Sequence, residues 1–145
     1  MPTEEHRAVV ERFCEEGFEK FNDEAVHELV TDDFHSHPWS VLGIPDGPEG
    51  MKQFLGFMRS AFSNARVSVE DVISEDGKVA VRYVFEADHT GELLGIGATG
   101  KRVRLPGIFI ARIEDRKLAE YWREEDQLSM MQQLGAILSP EQAAV

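Results

Sequence analysis

Glu75-Asp-Gly-Lys-Val-Ala-Val-Arg-Tyr-Val-Phe-Glu-Ala-Asp-His89 decides how the second half of this chain folds. Val79, Val81, Tyr83, Phe85 and Ala87 share one parity, and Arg82, Glu86 and Asp88 share the other. Alternation with a period of two marks a strand with one buried and one polar face. Glu75-Asp-Gly-Lys78 supplies a hairpin turn, and before it Val67, Val69 and Ile73 alternate with Ser68, Glu70 and Ser74 as the partner strand. After it, a glycine-rich connection over 91–100 leads to a third strand at about 101–113. A turn at Glu114-Asp115-Arg116 then opens a fourth strand, from Lys117 towards Asp126, and 127–134 closes the pattern as a short helix ended by Gly135.

The first half follows the helical period instead. Val10, Phe13, Cys14, Gly17 and Phe21 recur on one helical face, with Thr3 as a candidate cap and Glu4 and Glu5 in the first turn. Ala25, Val26, Leu29 and Val30 suggest a second, short helix. A loop is expected over 31–47, where Pro38, Gly43, Pro45 and Gly47 act as breakers. Pro48 suits the first turn of a third helix, with Met51, Phe54, Leu55, Met58 and Phe62 as its buried stripe. Helices first and an antiparallel meander afterwards define an α+β fold, with helices packed on one side of a curved, mainly antiparallel sheet that encloses a pocket.

The 145 residues carry 15 basic and 27 acidic side chains, a formal charge of −12. That length suits one domain spanning 1–145, and the charge disfavours nucleic acid and anionic membranes as partners. One cysteine excludes an internal disulfide and a thiolate metal cluster. The sequence has no apolar run near the ~20 residues of a bilayer span and no signal-peptide core, so a cytoplasmic location is expected.

Gly95-Ile-Gly-Ala-Thr-Gly100 spells the dinucleotide fingerprint G-x-G-x-x-G, but Lys101-Arg-Val-Arg-Leu-Pro106 follows it with strand alternation and a proline. Without a helix to hold a pyrophosphate the motif is a strand connection. Asp126 is the main chemical candidate. It sits where the last strand becomes the last helix and shares parity with Glu120 and Trp122. If that face lines the hollow, the carboxylate lies beside an indole, where burial raises its pKa towards general acid/base work. The competing reading is a helix N-cap, for which Asp is among the best residues. His89 either completes a local hydrogen bond or looks into the pocket. His35 and His37 fall on one side of an extended segment, without the further ligand at recognisable spacing that a firm metal site needs. Cys14 and the methionines at 51, 58, 130 and 131 read as core.

Two segments carry a family resemblance. His89-Thr-Gly-Glu-Leu-Leu-Gly-Ile-Gly-Ala-Thr-Gly-Lys-Arg-Val103 resembles the H-T-G-E-x-x-G-x-x-x-T-G-x-x-V segment of the SnoaL-like polyketide cyclases, also called ester cyclases. Lys117-Leu-Ala-Glu-Tyr-Trp-Arg-Glu-Glu-Asp126, with Gln132-Gln-Leu-Gly135, is similar to that family's K-I-x-E-x-W-x-x-x-D and Q-Q-L-G ending. Asp33-Phe-His-Ser-His-Pro38, with the downstream Gly47-Pro-Glu-Gly50, is a third, weaker match. The resemblance implies the cone-shaped α+β fold shared with ketosteroid isomerase and nuclear transport factor two. It also implies an intramolecular aldol cyclisation without metal or cofactor, in which Asp126 moves the proton and His37 and His89 orient carbonyl oxygens. Trp122, Phe109, Tyr83, His35 and Trp39 complete the expected pocket for a small hydrophobic ligand. Phe109 departs from the polar residue, commonly histidine, expected on the third strand, and the missing donor is worth about 3 kcal/mol to an enolate.

Two functions follow from this reading: an acid/base enzyme built on Asp126, or a non-catalytic ligand-binding or dimerisation module of the same fold. A homodimer is expected through the uncovered sheet face, with Tyr83, Val103 and Ile110 contributing.

Overall fold

The apolar stripe of the N-terminal segment forms helix α1, Pro2–Phe13, which buries Val10 and Phe13. The computed structural model describes residues 2–38 and 43–138, with side chains from residue 4 onward. The helix already contains Thr3, so the first turn starts ahead of the expected cap. Its axis continues through a wider π-helical turn, Cys14–Glu19, that buries Cys14, Gly17 and Phe18. The side chain of Asn22 caps the next turn, accepting from the Glu24 backbone N–H at 3.1 Å, and leads into α2, Val26–Leu29.

The expected loop after α2 is instead strand β1, Val30–Ser36. Its partner is β5, far along the chain, and pairing across that separation overrides the local loop signals. Helix α3, Gly47–Ala61, has Pro48 in its first turn and buries Met51, Phe54 and Leu55. The strands β2 (Phe62–Glu75), β3 (Lys78–His89), β4 (Arg102–Glu114) and β5 (Lys117–Glu125) then form an antiparallel meander, and α4, Gln127–Gln133, ends it. The sheet order is β1-β5-β4-β3-β2, with β1 parallel to β5. One apolar cluster joins the helices to the inner face of this sheet. The motif Gly95–Gly100 lies in the β3–β4 connection, where Leu93 and Ile96 bridge, and β4 rather than a helix follows.

That connection is pinned against the end of α3. The backbone N–H groups of Thr90 and Gly91 both donate to the Ala61 carbonyl at 3.1 Å. A Cβ on Gly91 would lie 1.7 Å from the Ser60 carbonyl oxygen, which is backbone and cannot step aside. Gly91→Ala is therefore expected to destabilise the protein by about 3 kcal/mol or more, seen as a lower urea midpoint.

Candidate active site

The cavity-facing residues are set by how β4 and β5 pair. Glu114 pairs with Lys117 and Ile113 with Leu118, but Arg112 pairs with Glu120. Ala119 is the extra residue of a β-bulge, and Leu118 and Ala119 are consecutively buried. From there Tyr121, Arg123 and Glu125 stand beside Ala111, Phe109 and Gly107 on the inner face, while Glu120, Trp122 and Glu124 stand beside Arg112, Ile110 and Ile108 on the outer one.

The inner face, α3, α4 and the π-helical turn enclose a cavity of about 510 Å³. Its wall is mainly apolar, including Phe54, Phe62, Phe85, Leu105 and Met130. The polar groups converge at one place. Tyr83 Oη donates to Glu125 Oε2 at 2.6 Å. Glu125 Oε1 accepts from Gln127 Nε2 at 3.1 Å and lies 3.3 Å from Arg123 Nε. Arg123 Nη1 donates to the Tyr121 hydroxyl at 3.4 Å. The Arg123 and Glu125 side chains are only 12% and 10% exposed.

Gly107 makes this meeting possible. It lies between Tyr83 on β3 and Glu125 on β5, and a Cβ there would stand 2.6 Å from Tyr83 Oη and 2.8 Å from Glu125 Cγ. The missing side chain is the gap through which phenol and carboxylate touch across β4.

Electrostatics follow from this burial. Burial, then the neighbouring Tyr121 and Glu125, pushes the Tyr83 phenol upward, with Arg123 opposing. Burial works against the charge of Arg123, but Tyr121, Glu125 and Tyr83 outweigh it and hold its pKa above the usual arginine value. Burial pushes the Cys14 thiol, also on the cavity wall, up to about 12, with Glu19 and Glu11 adding to the effect.

The expected site residues are divided by the bulge. Phe109 and Tyr83 line the cavity. Asp126, expected to face inward, is exposed, and its Oδ1 accepts from the Ser129 backbone N–H at 3.1 Å as the N-cap of α4. Trp122, His37 and His35 are on the outer side. The His37 ring stacks on Trp122 at 4.7 Å, its Nε2 lies 2.7 Å from Glu120 Oε2, and the His35 ring stands 4.4 Å from it. The hydrogen bond from His37 holds the Glu120 carboxyl below the usual range, against a smaller effect of burial, with Arg112 adding to the lowering. His89 is fully buried outside the cavity wall. Its Nδ1 accepts from the Thr99 backbone N–H at 3.2 Å, which ties down the β3–β4 connection. Trp39 lies outside the described residues. Arg123, Glu125, Tyr121 and Gly107 were not expected from the sequence. The adjacent apolar pair Leu118-Ala119 was their one signal, because two neighbours cannot both face inward on a regular strand.

The expected dimer contributors divide in the same way. Tyr83 and Val103 are buried on the inner face, and Ile110 alone of the three stands on the outer one. Among the described residues, no group of three or more His, Cys, Asp or Glu side chains is arranged to hold a metal ion. No described helix is long and apolar enough to cross a membrane.

A helix-covered, curved sheet closing on an apolar cavity is the architecture of the cone-shaped α+β fold. The sequence model of the SnoaL-like polyketide cyclases matches residues 8–134, and the chain belongs to that family. Among curated proteins it is similar to the nogalonic acid methyl ester cyclase of Streptomyces nogalater, 29% identical over 76% of this chain and 83% of that one. It is also similar to the aklanonic acid methyl ester cyclase DnrD of Streptomyces peucetius, 31% identical over 61% of this chain and 62% of that one. The solved structure of TsrD from Streptomyces laurentii superposes with a TM-score of 0.78 at 27% identity, covering 90% of this chain and 98% of that one.

Two outcomes test this geometry. Replacing Asp126 by Ala removes a cap, so the expected result is a loss of about 1 kcal/mol in urea unfolding with no change in ligand binding. Cys14, Tyr83 and Tyr121 all hold their protons more tightly folded than unfolded. Their contribution is complete below pH 9 and declines as pH rises through 9 and beyond. Cys14 alone predicts that stability falls by about 2 kcal/mol between pH 8 and 10.5, measured by urea midpoints at both.

Proposed function

We propose that the cavity takes a small, hydrophobic, carbonyl-rich molecule of the polyketide ester type and cyclises it by an intramolecular aldol reaction, with Glu125 as the shuttling carboxylate. The observation that carries this reading is the Tyr83–Gly107–Glu125 layer, a carboxylate held by a phenol inside an apolar cavity. The methyl ester substrates named for the two curated cyclases indicate the chemical class.

In the first step Glu125 takes the proton from a C–H flanked by two carbonyls, and the C–H electron pair becomes an enolate. The enolate carbon bonds to a second carbonyl carbon of the same molecule, whose oxygen becomes an alkoxide. Glu125 returns its proton to that alkoxide. Protons and electrons balance, so these steps need no redox cofactor. A flanked C–H is already acidic, which leaves positioning and one carboxylate as the main demands on the protein. Tyr83 is a positioning residue, fixing Glu125 Oε2.

A second reading is a binding module without turnover. Both Glu125 oxygens already have protein partners, in Tyr83, Gln127 and Arg123, so a substrate proton has to displace one of them. We also propose a homodimer through the outer sheet face. Ile108 and Ile110 are exposed there, flanked by Arg82 and Arg112 of one sign and Glu120 and Glu124 of the other. A two-fold axis can oppose these charges in a second copy. The single, buried Cys14 fits a reducing compartment such as the cytoplasm.

Glu125→Gln keeps the shape and removes the base. With nogalonic acid methyl ester as substrate, kcat should fall at least a hundredfold while binding changes little, and Asp126→Asn should retain most of its activity. An active Glu125→Gln enzyme beside an inactive Asp126→Asn one overturns the assignment. Tight binding without turnover by the unaltered protein supports the second reading.

A further inference from the structure

We infer that Leu94 is a specificity-determining residue: it stands at the opening of the cavity and selects ligands whose apolar length carries them out to it. This rests on the cavity reading above, and it concerns which molecules are held rather than how they react.

Among the described residues, six besides glycine have left-handed backbone: Phe21, Asn64, Asp76, Leu94, Asp115 and Arg116. A side chain strains that conformation, asparagine and aspartate least. Asn64, Asp76 and Asp115 are of the tolerant types, Phe21 is buried in the core, and Arg116 Nε donates to Glu5 Oε1 at 3.0 Å. Leu94, at φ +49°, is instead 63% exposed. The strain comes from a tight turn. Leu93 N–H donates to the Ile96 carbonyl at 2.9 Å and Ile96 N–H to the Leu93 carbonyl at 2.8 Å, which leaves Leu94 and Gly95 as the two central residues, both at positive φ. Asparagine followed by glycine is the ordinary pair for such a turn. Gly95 fits it, whereas a leucine at 94 adds strain and presents an apolar side chain to water.

The placement of Leu94 supplies the compensating role. Leu93 and Leu94 both belong to the cavity wall, and a wall residue that is mostly exposed lies at the opening. Phe57 is the other exposed large apolar residue of that wall. It lies on α3 one turn before Ala61, whose carbonyl accepts from Thr90 and Gly91. Thr99 is held by His89 at the far end of the same connection, so the turn presents Leu94 at a fixed place. The fold gives this side chain little burial, and a ligand long enough to reach the opening gives it more. A shorter ligand ends inside and gains nothing from it.

Neutral 6-acyl-2-(dimethylamino)naphthalenes are suitable probes, because they are aryl ketones whose emission reports the polarity around them. The unaltered protein should bind the hexanoyl compound about tenfold more tightly than the propionyl one, from the additional apolar area buried. In Leu94→Asn that preference should fall below about threefold, with propionyl affinity within about twofold of the original, while Tm rises by about 2 °C as the turn loses its strain. Leu94→Met keeps an apolar side chain and should retain the preference without the gain in Tm. An undiminished preference in Leu94→Asn, an equal loss for both probes, or a lower Tm in that variant overturns this inference, the last by giving Leu94 a structural role. Equal affinity of the unaltered protein for the two probes overturns it as well and leaves the cavity reading intact. Failure to bind either probe overturns both.

Discussion

The single extra residue at Ala119 governs which side chains of β5 meet the cavity. A strand alternates faces with every residue, so a register change of one exchanges its two faces completely. Continued without interruption from the Glu114–Lys117 pair, the ladder would put Trp122 opposite Phe109 and Asp126 opposite Leu105. With the bulge, Arg123 stands opposite Phe109, and Glu125 stands opposite Gly107. Everything chemical inside the cavity follows from that exchange. The indole, Glu120 and both histidines of β1 and its continuation become an outer cluster instead.

Inside, the fold holds two opposed demands together. A cavity for a hydrophobic ligand needs apolar walls, yet a buried guanidinium and carboxylate are costly unless each is paired. The structure satisfies both by concentrating its polarity. Arg123 and Glu125 neutralise one another, Tyr83 and Gln127 occupy the remaining carboxylate positions, and aromatic rings cover the guanidinium. Gly107 supplies the space, since any larger residue would separate the phenol from the carboxylate. This chain keeps the family's architecture while carrying a cation and a phenol where apolar walls would suffice for binding alone.

The fold was largely legible in the sequence because it rests on periodicity. The alternation of Val79 to Ala87, the helical stripe through Met51, Phe54 and Leu55, and the strand alternation after Gly100 each survive in the structure. β1 was missed because an edge strand paired in parallel draws on β5, with Val30 set against Leu118 and His35 against Glu120, and leaves little local pattern. The site was less legible. Parity along β5 ties Asp126 to Trp122 and Glu120 correctly, but which parity faces inward depends on the bulge. Adjacent Tyr121 and Trp122 offer an aromatic residue to either face. Phe109 and Tyr83 both reach the cavity wall because β3 and β4 keep regular alternation against one another. The partnership across Gly107 joins three strands, and no single segment contains it.

A crystal structure of the protein with an aromatic 1,3-diketone soaked or grown in tests the central claim most directly. The account predicts the ligand inside the cavity, with its central carbon against Glu125. A ligand seated instead on the outer cluster of His37 and Trp122, or one whose reacting carbon lies beside Asp126, would contradict it.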